Sequence, residues 1–201
     1  MHFLPPNYVF LDDFPPGSVV IDAGCGSEAE LSRHLMSQRH VRAFGVDPTK
    51  KHAPALRALE HESGGLFTHV PVAIAAADGT LTFNESVERE SGSIYATHGN
   101  IRRFPSRSYE VEALSLRGLL RRIGVDRVQL LKLDLEGAEY DLLGGIEREA
   151  LEPFRQVFVE FHPSVVPDSH AADTAARVSR VESMGFLTFT LDDINYLFYR
   201  P

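Results

Sequence analysis

Residues 130–146 read LLKLDLEGAEYDLLGGI, and this stretch decides the fold. Leucine dominates its first half, yet Lys132, Asp134 and Glu136 recur at every second position. In a β-strand, residues two apart share a face. The pattern therefore predicts a strand over residues 128–136 with three charges on one face. Burying such charges costs free energy unless they pair or meet a ligand. Gly137 stops the strand, and Ala138, Leu142, Leu143 and Ile146 follow at helical spacing. This is strand, turn, helix, with charge delivered to the strand's carboxyl end, where ligands bind in open α/β sheets. An internal Lys–Asp pair beside a solvated Glu accounts for the same residues without a ligand.

Upstream, the same grammar repeats. Residues 19–21 form a short apolar run that leads into Asp22-Ala23-Gly24-Cys25-Gly26. Ser27 and Glu30 have the spacing of a capping box. Leu31, Leu35 and Met36 then mark the buried face of a helix. Glycines let backbone approach a ligand, and a helix N-terminus offers N–H groups to an anion. Residues 41–46 make a second strand ending in Asp47-Pro48. A carboxylate there, about 20 residues beyond the glycine turn, suits a ribose diol. A helix over 55–60, a strand over 66–74, a short strand over 80–83 and a helix over 114–123 follow. The strand over 66–74, which contains Ala73, ends in a turn over 75–79.

Downstream, residues 156–161 predict a strand ending at His162-Pro163, and 171–184 a helix closed by Gly185. Residues 186–191 and 196–199 are joined by so short a turn that they must form an antiparallel hairpin. Strands alternating with helices, then a hairpin, specify an α/β fold: a doubly wound, Rossmann-like, mostly parallel sheet with a C-terminal antiparallel hairpin strand. One domain over residues 1–201 is expected. Residues 1–17 are a Pro-rich aromatic lead-in. Residues 84–110, rich in Ser and Arg and without periodicity, are a candidate substrate loop that can present Ser93, Tyr95, His98, Arg102 and Arg103.

With 28 acidic and 20 basic residues the net charge is −8, which argues against broad binding to a nucleic-acid backbone. A lone cysteine, Cys25, excludes an internal disulfide and fits a reducing compartment. No apolar run approaches the roughly 18 residues of a membrane span. A cytoplasmic protein is the expectation. Cys25 reads as a small filler at a tight turn, and the histidines other than His162 read as surface residues.

Gly24-Cys25-Gly26-Ser27-Glu28-Ala29 fits G-x-G-x-x-A, so an NAD-binding oxidoreductase is one reading. Asp22 argues otherwise, because its charge would face a pyrophosphate, whereas a ligand bearing an ammonium and a sulfonium would welcome it. D-x-G-x-G, an acid after the second strand and a closing hairpin resemble the class I S-adenosylmethionine-dependent methyltransferases. LLKLDLEGAEYDLLGGI resembles the K-x-D-x-E-G-x-E block of the FkbM family within that class. FVEFH at 158–162, VAIAAADGTLTF, the GSIY segment and residues 44–48 are similar to other parts of that family. Family members often carry Ala-Asn within the glycine turn and Glu in place of Asp47.

The resemblance implies S-adenosylmethionine as cofactor, held by Asp22, Gly24, Cys25, Gly26, Asp47, Ala73 and Asp134. It implies methylation of an oxygen on a sugar or other small-molecule hydroxyl; charge and hydropathy, as above, argue against a nucleic-acid partner and a membrane. Asp134, Glu136, His162 and Lys132 are the catalytic candidates. A hydroxyl needs a base, and His162 has the reference pKa nearest neutral. Asp134 either takes the proton or holds the cofactor's ammonium. Lys132 is expected to orient a carboxylate, and Glu139 to complement a helix dipole. Asp134, Glu136 and His162 are also a candidate set for a divalent cation, although no compact ligand motif is present. A non-catalytic cofactor-binding module is the remaining alternative.

Overall fold

Strands buried on both faces read as continuous apolar runs, and side chains of successive residues go to opposite layers. β3 (Val19–Ala23) shows this directly: Val19, Ile21 and Ala23 enter one apolar layer, and Val20 enters the other. The computed structural model describes residues 1–163 and 171–201. After β3 come α1 (Glu30–Arg39), β4 (Arg42–Val46), α2 (Ala53–Glu62) and β5 (Phe67–Val70). Farther along are α4 (Leu116–Ile123), β10 (Leu130–Leu133), α5 (Glu139–Gly145), α6 (Arg148–Leu151), β11 (Gln156–Glu160), α7 (Ala171–Ser183), β12 (Leu187–Thr190) and β13 (Asn195–Tyr199).

These strands form a seven-stranded sheet in the order β12-β13-β11-β10-β3-β4-β5. β5, β4, β3, β10 and β11 pair in parallel, and β13 is antiparallel to both β11 and β12. The expected mostly parallel sheet with a closing hairpin is present. One apolar layer lies under α4, α5 and α7 and includes Leu119, Leu131, Leu143, Val159 and Phe198. The other lies under α1, α2 and the N-terminal hairpin and includes Phe10, Leu35, Leu56, Phe67 and Phe158. Each such side chain contributes roughly 1.5–3 kcal/mol on burial.

Several boundaries differ from expectation. The strand expected over 128–136 is regular only from Leu130 to Leu133. Asp134 N–H still donates to Ala23 O at 3.1 Å, but Glu136 has left-handed backbone at φ 50°. Only Lys132 of the three charges therefore lies within the strand. The strand expected over 66–74 is two. Pro71 has no N–H to donate, and β6 (Ala73–Ile74) joins a different sheet. The capping box does not form: Ala29 at φ 45° is the N-cap of α1, and no side chain of its own caps it. Asp22 does that work from β3, its Oδ2 accepting from Ser32 N–H at 3.3 Å and Ser32 Oγ–H at 2.8 Å. Leu114 belongs to a strand, not to α4, which starts behind Ser115; the Ser115 Oγ accepts from Gly118 N–H at 3.0 Å.

Two regions without clear pattern are ordered into strands. The lead-in contains an antiparallel hairpin of β1 (His2–Leu4) and β2 (Tyr8–Phe10), with Val9 and Phe10 buried. Residues 84–110 are not a bare loop. They hold the end of β7 (Gly79–Ser86), β8 (Gly92–Ser93), α3 (Gly99–Arg103) and the start of β9 (Ser106–Leu114). β7 and β9 form a long antiparallel pair within a four-stranded sheet ordered β6-β9-β7-β8. This sheet stands over the carboxyl ends of the main sheet and supplies one wall of the cavity described next.

Candidate active site

The register of β3 and β10 sets the site's first contact. Lys132 lies directly beside Asp22 in the parallel ladder. Its ammonium, 2% exposed, sits 3.3 Å from Asp22 Oδ1 and 3.2 Å from Asp134 Oδ2, and donates to Gly24 O at 2.8 Å. Burial disfavours the Lys132 charge, but Asp134 and Asp22 overcome it and hold the ammonium well above its ordinary range. One cation between two carboxylates leaves the group with a net negative charge. Asp22 is 1% exposed, with Oδ2 spent on Ser32, so it acts through Lys132 and α1 rather than on the cavity surface.

The glycine turn passes close over this group. Gly24 has φ 74°, and a Cβ there would stand 1.8 Å from Asp134 O, so no other residue fits. Gly26, at φ 64°, donates its N–H to Asp47 Oδ2 at 3.0 Å. Asp47 Oδ1 accepts from Thr49 N–H at 2.8 Å, and Oδ2 faces His52 Nδ1 at 3.1 Å. Burial opposes the Asp47 charge, but the His52 and Thr49 hydrogen bonds outweigh it and keep the carboxyl below its usual range. Burial likewise lowers the proton affinity of His52, and Asp47 more than restores it. Its Nε2 lies 2.8 Å from Glu90 Oε2, off hydrogen-bond alignment. Cys25 is buried in the same turn, and burial pushes its thiol well above the ordinary range. A protonated thiol is a filler, as the sequence indicates.

These groups open onto one cavity of about 270 Å³. Gly24, Cys25, Gly26, Asp47, Ala73, Lys132, Asp134 and Glu136 all line it, so the structure brings eight expected site residues together. Val72, Ile74 and Phe83 give it an apolar side, and Tyr8 from β2 closes another. The Lys132 ammonium lies 5.7 Å from the centre of the Tyr8 ring. Burial, reinforced by Asp22 and Asp134, pushes the Tyr8 hydroxyl up to about 12.

His162 stands behind the cavity rather than on its lining. Its Nδ1 lies 2.8 Å from Glu139 Oε1, which also accepts from its backbone N–H at 3.0 Å. Its Nε2 is 3.6 Å from Asp134 Oδ1 and 3.8 Å from Glu136 Oε2. Burial would lower its affinity for a proton, but Glu139, Asp134 and Glu136 raise it to about 9. A ring raised this far favours its imidazolium form at neutral pH, and His162, expected as the base, reaches the cavity through Asp134 and Glu136. Its charge steadies Asp134 and Glu136.

Glu139 does more than expected. It stands in the first turn of α5 as expected, but it is fully buried, with Oε2 accepting from Gly137 N–H at 3.0 Å, and it also anchors His162. Two further histidines are not surface residues: His52 is 2% exposed and His98 fully buried, each against a carboxylate of the cavity. Nothing local in the sequence separates them from exposed histidines. The G-x-E-Y spacing of Glu139 was the one signal available. Among the described residues, no group of three or more His, Cys, Asp or Glu is arranged to hold a metal ion.

The residues fit a nucleoside carrying a cationic tail. The apolar side suits a base, Asp47 has acceptor capacity for a diol, and Asp134 with the net negative Lys132 group favours positive charge. The Gly24 cradle, which a Cβ would fill, lets backbone lie against the ligand.

Comparison with solved structures gives the same fold. An rRNA methylase, described as putative, from Clostridium thermocellum aligns with 13% identity and a TM-score of 0.50, covering 92% of this chain and 86% of that one. The fibrillarin/Nop5p complex aligns with 11% identity and a TM-score of 0.53, covering 92% and 73%. M. capricolum TrmK, solved with S-adenosyl-homocysteine, aligns with 12% identity and a TM-score of 0.44, covering 92% and 62%. No curated protein matches the chain. Among the described residues, no helix is long and apolar enough to cross a membrane. The methyltransferase FkbM domain model matches residues 25–188, from the glycine turn to the C-terminal hairpin, and the chain therefore belongs to the FkbM family of S-adenosylmethionine-dependent methyltransferases.

Proposed function

We propose that the chain methylates a hydroxyl oxygen of a small-molecule acceptor, with Glu136 receiving the proton. The observation that carries this reading is the single cavity at the carboxyl ends of β3, β4 and β10. It joins the glycine turn and Asp47 on one side to Asp134 and Glu136 on the other. S-adenosylmethionine, when bound, supplies a methyl group already activated by a positive sulfur.

The chain's own work is binding, alignment and proton removal. Asp47 accepts hydrogen bonds from the ribose diol while Gly26 N–H holds it in place. Asp134, 25% exposed on its side chain and backed by Lys132, faces the ammonium of the amino-acid tail. Asp134 thereby takes the cofactor role among its two alternatives. Glu136, 26% exposed, is the lining carboxylate next to Asp134, whereas Glu90, 73% exposed, stands beside His52 and the Asp47 side. Burial would raise its carboxyl, but the His98 hydrogen bond and the His162 charge keep it ionised and ready to accept a proton. Aligning two reactants supplies up to roughly 7–11 kcal/mol of the barrier, and a base contributes about 10²–10⁴-fold.

Calorimetry with S-adenosylhomocysteine tests the cofactor side. A panel of sugars, other small hydroxyl compounds and RNA, supplied with labelled S-adenosylmethionine, tests the acceptor. Methylation of RNA but of no small hydroxyl compound would overturn the acceptor proposed.

A further inference from the structure

Glu136 is held in a conformation that an ordinary residue avoids. Among the described non-glycine residues of the cavity lining, it alone has positive φ, at 50°. A left-handed backbone costs a non-glycine residue about 1–2 kcal/mol. Such strain persists only where neighbouring contacts over-determine it.

Those contacts come from the four-stranded sheet and α3. Ser93, at the end of β8 and fully buried, donates its hydroxyl to Glu136 O at 2.9 Å. His98, fully buried at the start of α3, places Nε2 2.7 Å from Glu136 Oε2. Asn100 N–H donates to His98 Nδ1 at 3.2 Å, so Nδ1 is an acceptor and Nε2 carries the ring hydrogen. The Asn100 side chain donates to Ser91 Oγ at 2.8 Å, and Ser91 in turn hydrogen-bonds the Glu136 carboxylate. Backbone and side chain of Glu136 are thus both fastened from above.

We propose that His98 is a positioning residue: as a neutral Nε2–H donor, and together with Ser93, it fixes the Glu136 carboxylate where it receives the acceptor's proton. This rests on the methyl-transfer reading above. A neutral donor suits the task. It fixes one oxygen in space without cancelling the negative charge that makes the carboxylate basic, whereas an Arg or Lys there would weaken the base. In the transfer, the acceptor O–H bond breaks, its hydrogen passes to Glu136 as a proton, and its electron pair stays on oxygen for the new O–CH₃ bond. The sulfur keeps the pair of the bond it loses.

The test compares His98→Gln, which retains an N–H donor, with His98→Leu and Ser93→Ala. The carboxyl of Glu136 is followed by ¹³C NMR titration, assigned with Glu136→Gln. Expected for His98→Leu is a rise of about one pH unit in the Glu136 titration. With an acceptor in hand, kcat should fall roughly tenfold or more at unchanged KM. His98→Gln should restore most of both. S-adenosylhomocysteine affinity should stay within about threefold in all three variants, less than half a decade of binding. An unmoved Glu136 titration in His98→Leu, or equal loss in His98→Gln and His98→Leu, would overturn the inference. Should His98→Leu not fold, the wild-type ring decides: a ¹⁵N spectrum showing the Nδ1–H tautomer rejects the proposal, and Nε2–H supports it. Failure of the wild-type chain to bind S-adenosylhomocysteine would instead overturn the methyl-transfer reading, which the NMR measurements do not depend on.

Discussion

The cavity has a floor and a roof built on different principles. The floor is the carboxyl edge of parallel strands: Asp22 and Lys132 are placed by ladder register, Gly24 by its N–H bond to Val46 O, and Asp47 closes the end of β4. The roof is β8, α3 and the segment between them, fastened by side chains. Ser93, Tyr95 and His98 reach down to Glu136 O, Asp141 and Glu136 Oε2. The floor's polar groups are charged, buried and mutually dependent. Many of the roof's contacts are single hydrogen bonds. Substitutions below should therefore cost the whole fold, and substitutions above should cost placement.

The sharpest separation is Lys132→Met. Methionine fills much of the same volume, but Asp22 would be left 1% exposed without its cation. Breaking a buried ion pair from one side costs about 3–5 kcal/mol, and urea unfolding should show a loss of that size. A loss under about 1 kcal/mol would mean the floor is not one unit.

Next comes pH, which acts where floor and roof meet. The folded-state pKa of His162 is raised from 6.5 to about 9 by Glu139, Asp134 and Glu136 against the burial that lowers it. A raised folded value means that the contribution is fully present below pH 6.5 and lost as pH rises through about 9. At 1.36 kcal/mol per unit the loss is roughly 3 kcal/mol. Glu160, whose own carboxyl burial pushes up, lies in the same field. Urea unfolding between pH 6 and 10 should lose stability across that window, and His162→Gln should flatten the slope.

Asp47→Ala should weaken S-adenosylhomocysteine binding about 100-fold by calorimetry. It removes a charge-assisted acceptor worth roughly 1.5–3 kcal/mol from the diol and releases Gly26 N–H. Unchanged affinity would remove Asp47 from the cofactor site and leave it a purely structural clasp for the glycine turn.

The same division governs what the sequence shows. Floor residues are legible because register and period-two alternation are local: Lys132, Asp134 and the D-x-G-x-G turn announce themselves. Even there, the strand ends earlier than its alternation predicts, since the left-handed turn at Glu136 is held by the roof and not by its own residue type. The roof is illegible because β8 has two residues and α3 five, and of the strands that carry them β9 is open to solvent at Arg107, Glu110 and Glu112 while Phe83–Ser86 of β7 are buried without a break. Runs that are wholly exposed or wholly buried offer no alternation to read. His98 is illegible for a related reason, since Glu136 meets it from 38 residues away, whereas His52 packs against Asp47 five residues upstream in a turn whose closure the residue types do not announce. Glu139 was legible as a charge but not as a fully buried one.

The smallest effect separates the two halves best. Ser93→Ala deletes one hydroxyl from the roof and touches nothing in the floor: the bond that Ser93 Oγ–H donates to Glu136 O at 2.9 Å is lost, and so is the bond that Ser93 Oγ accepts from Tyr95 N–H at 3.1 Å. A net intramolecular hydrogen bond contributes about 0.5–1.5 kcal/mol, so global stability should fall by roughly 1 kcal/mol. S-adenosylhomocysteine affinity should hold, since Gly26 and Asp47 are untouched. Amide exchange should quicken at Tyr95 and Gly137, where the roof meets the turn, but not at Gly24, whose N–H is bonded to Val46 O at 2.8 Å within the sheet edge. Equal quickening at Gly24 would show that floor and roof open as a single unit and that the division drawn here is one of geometry only.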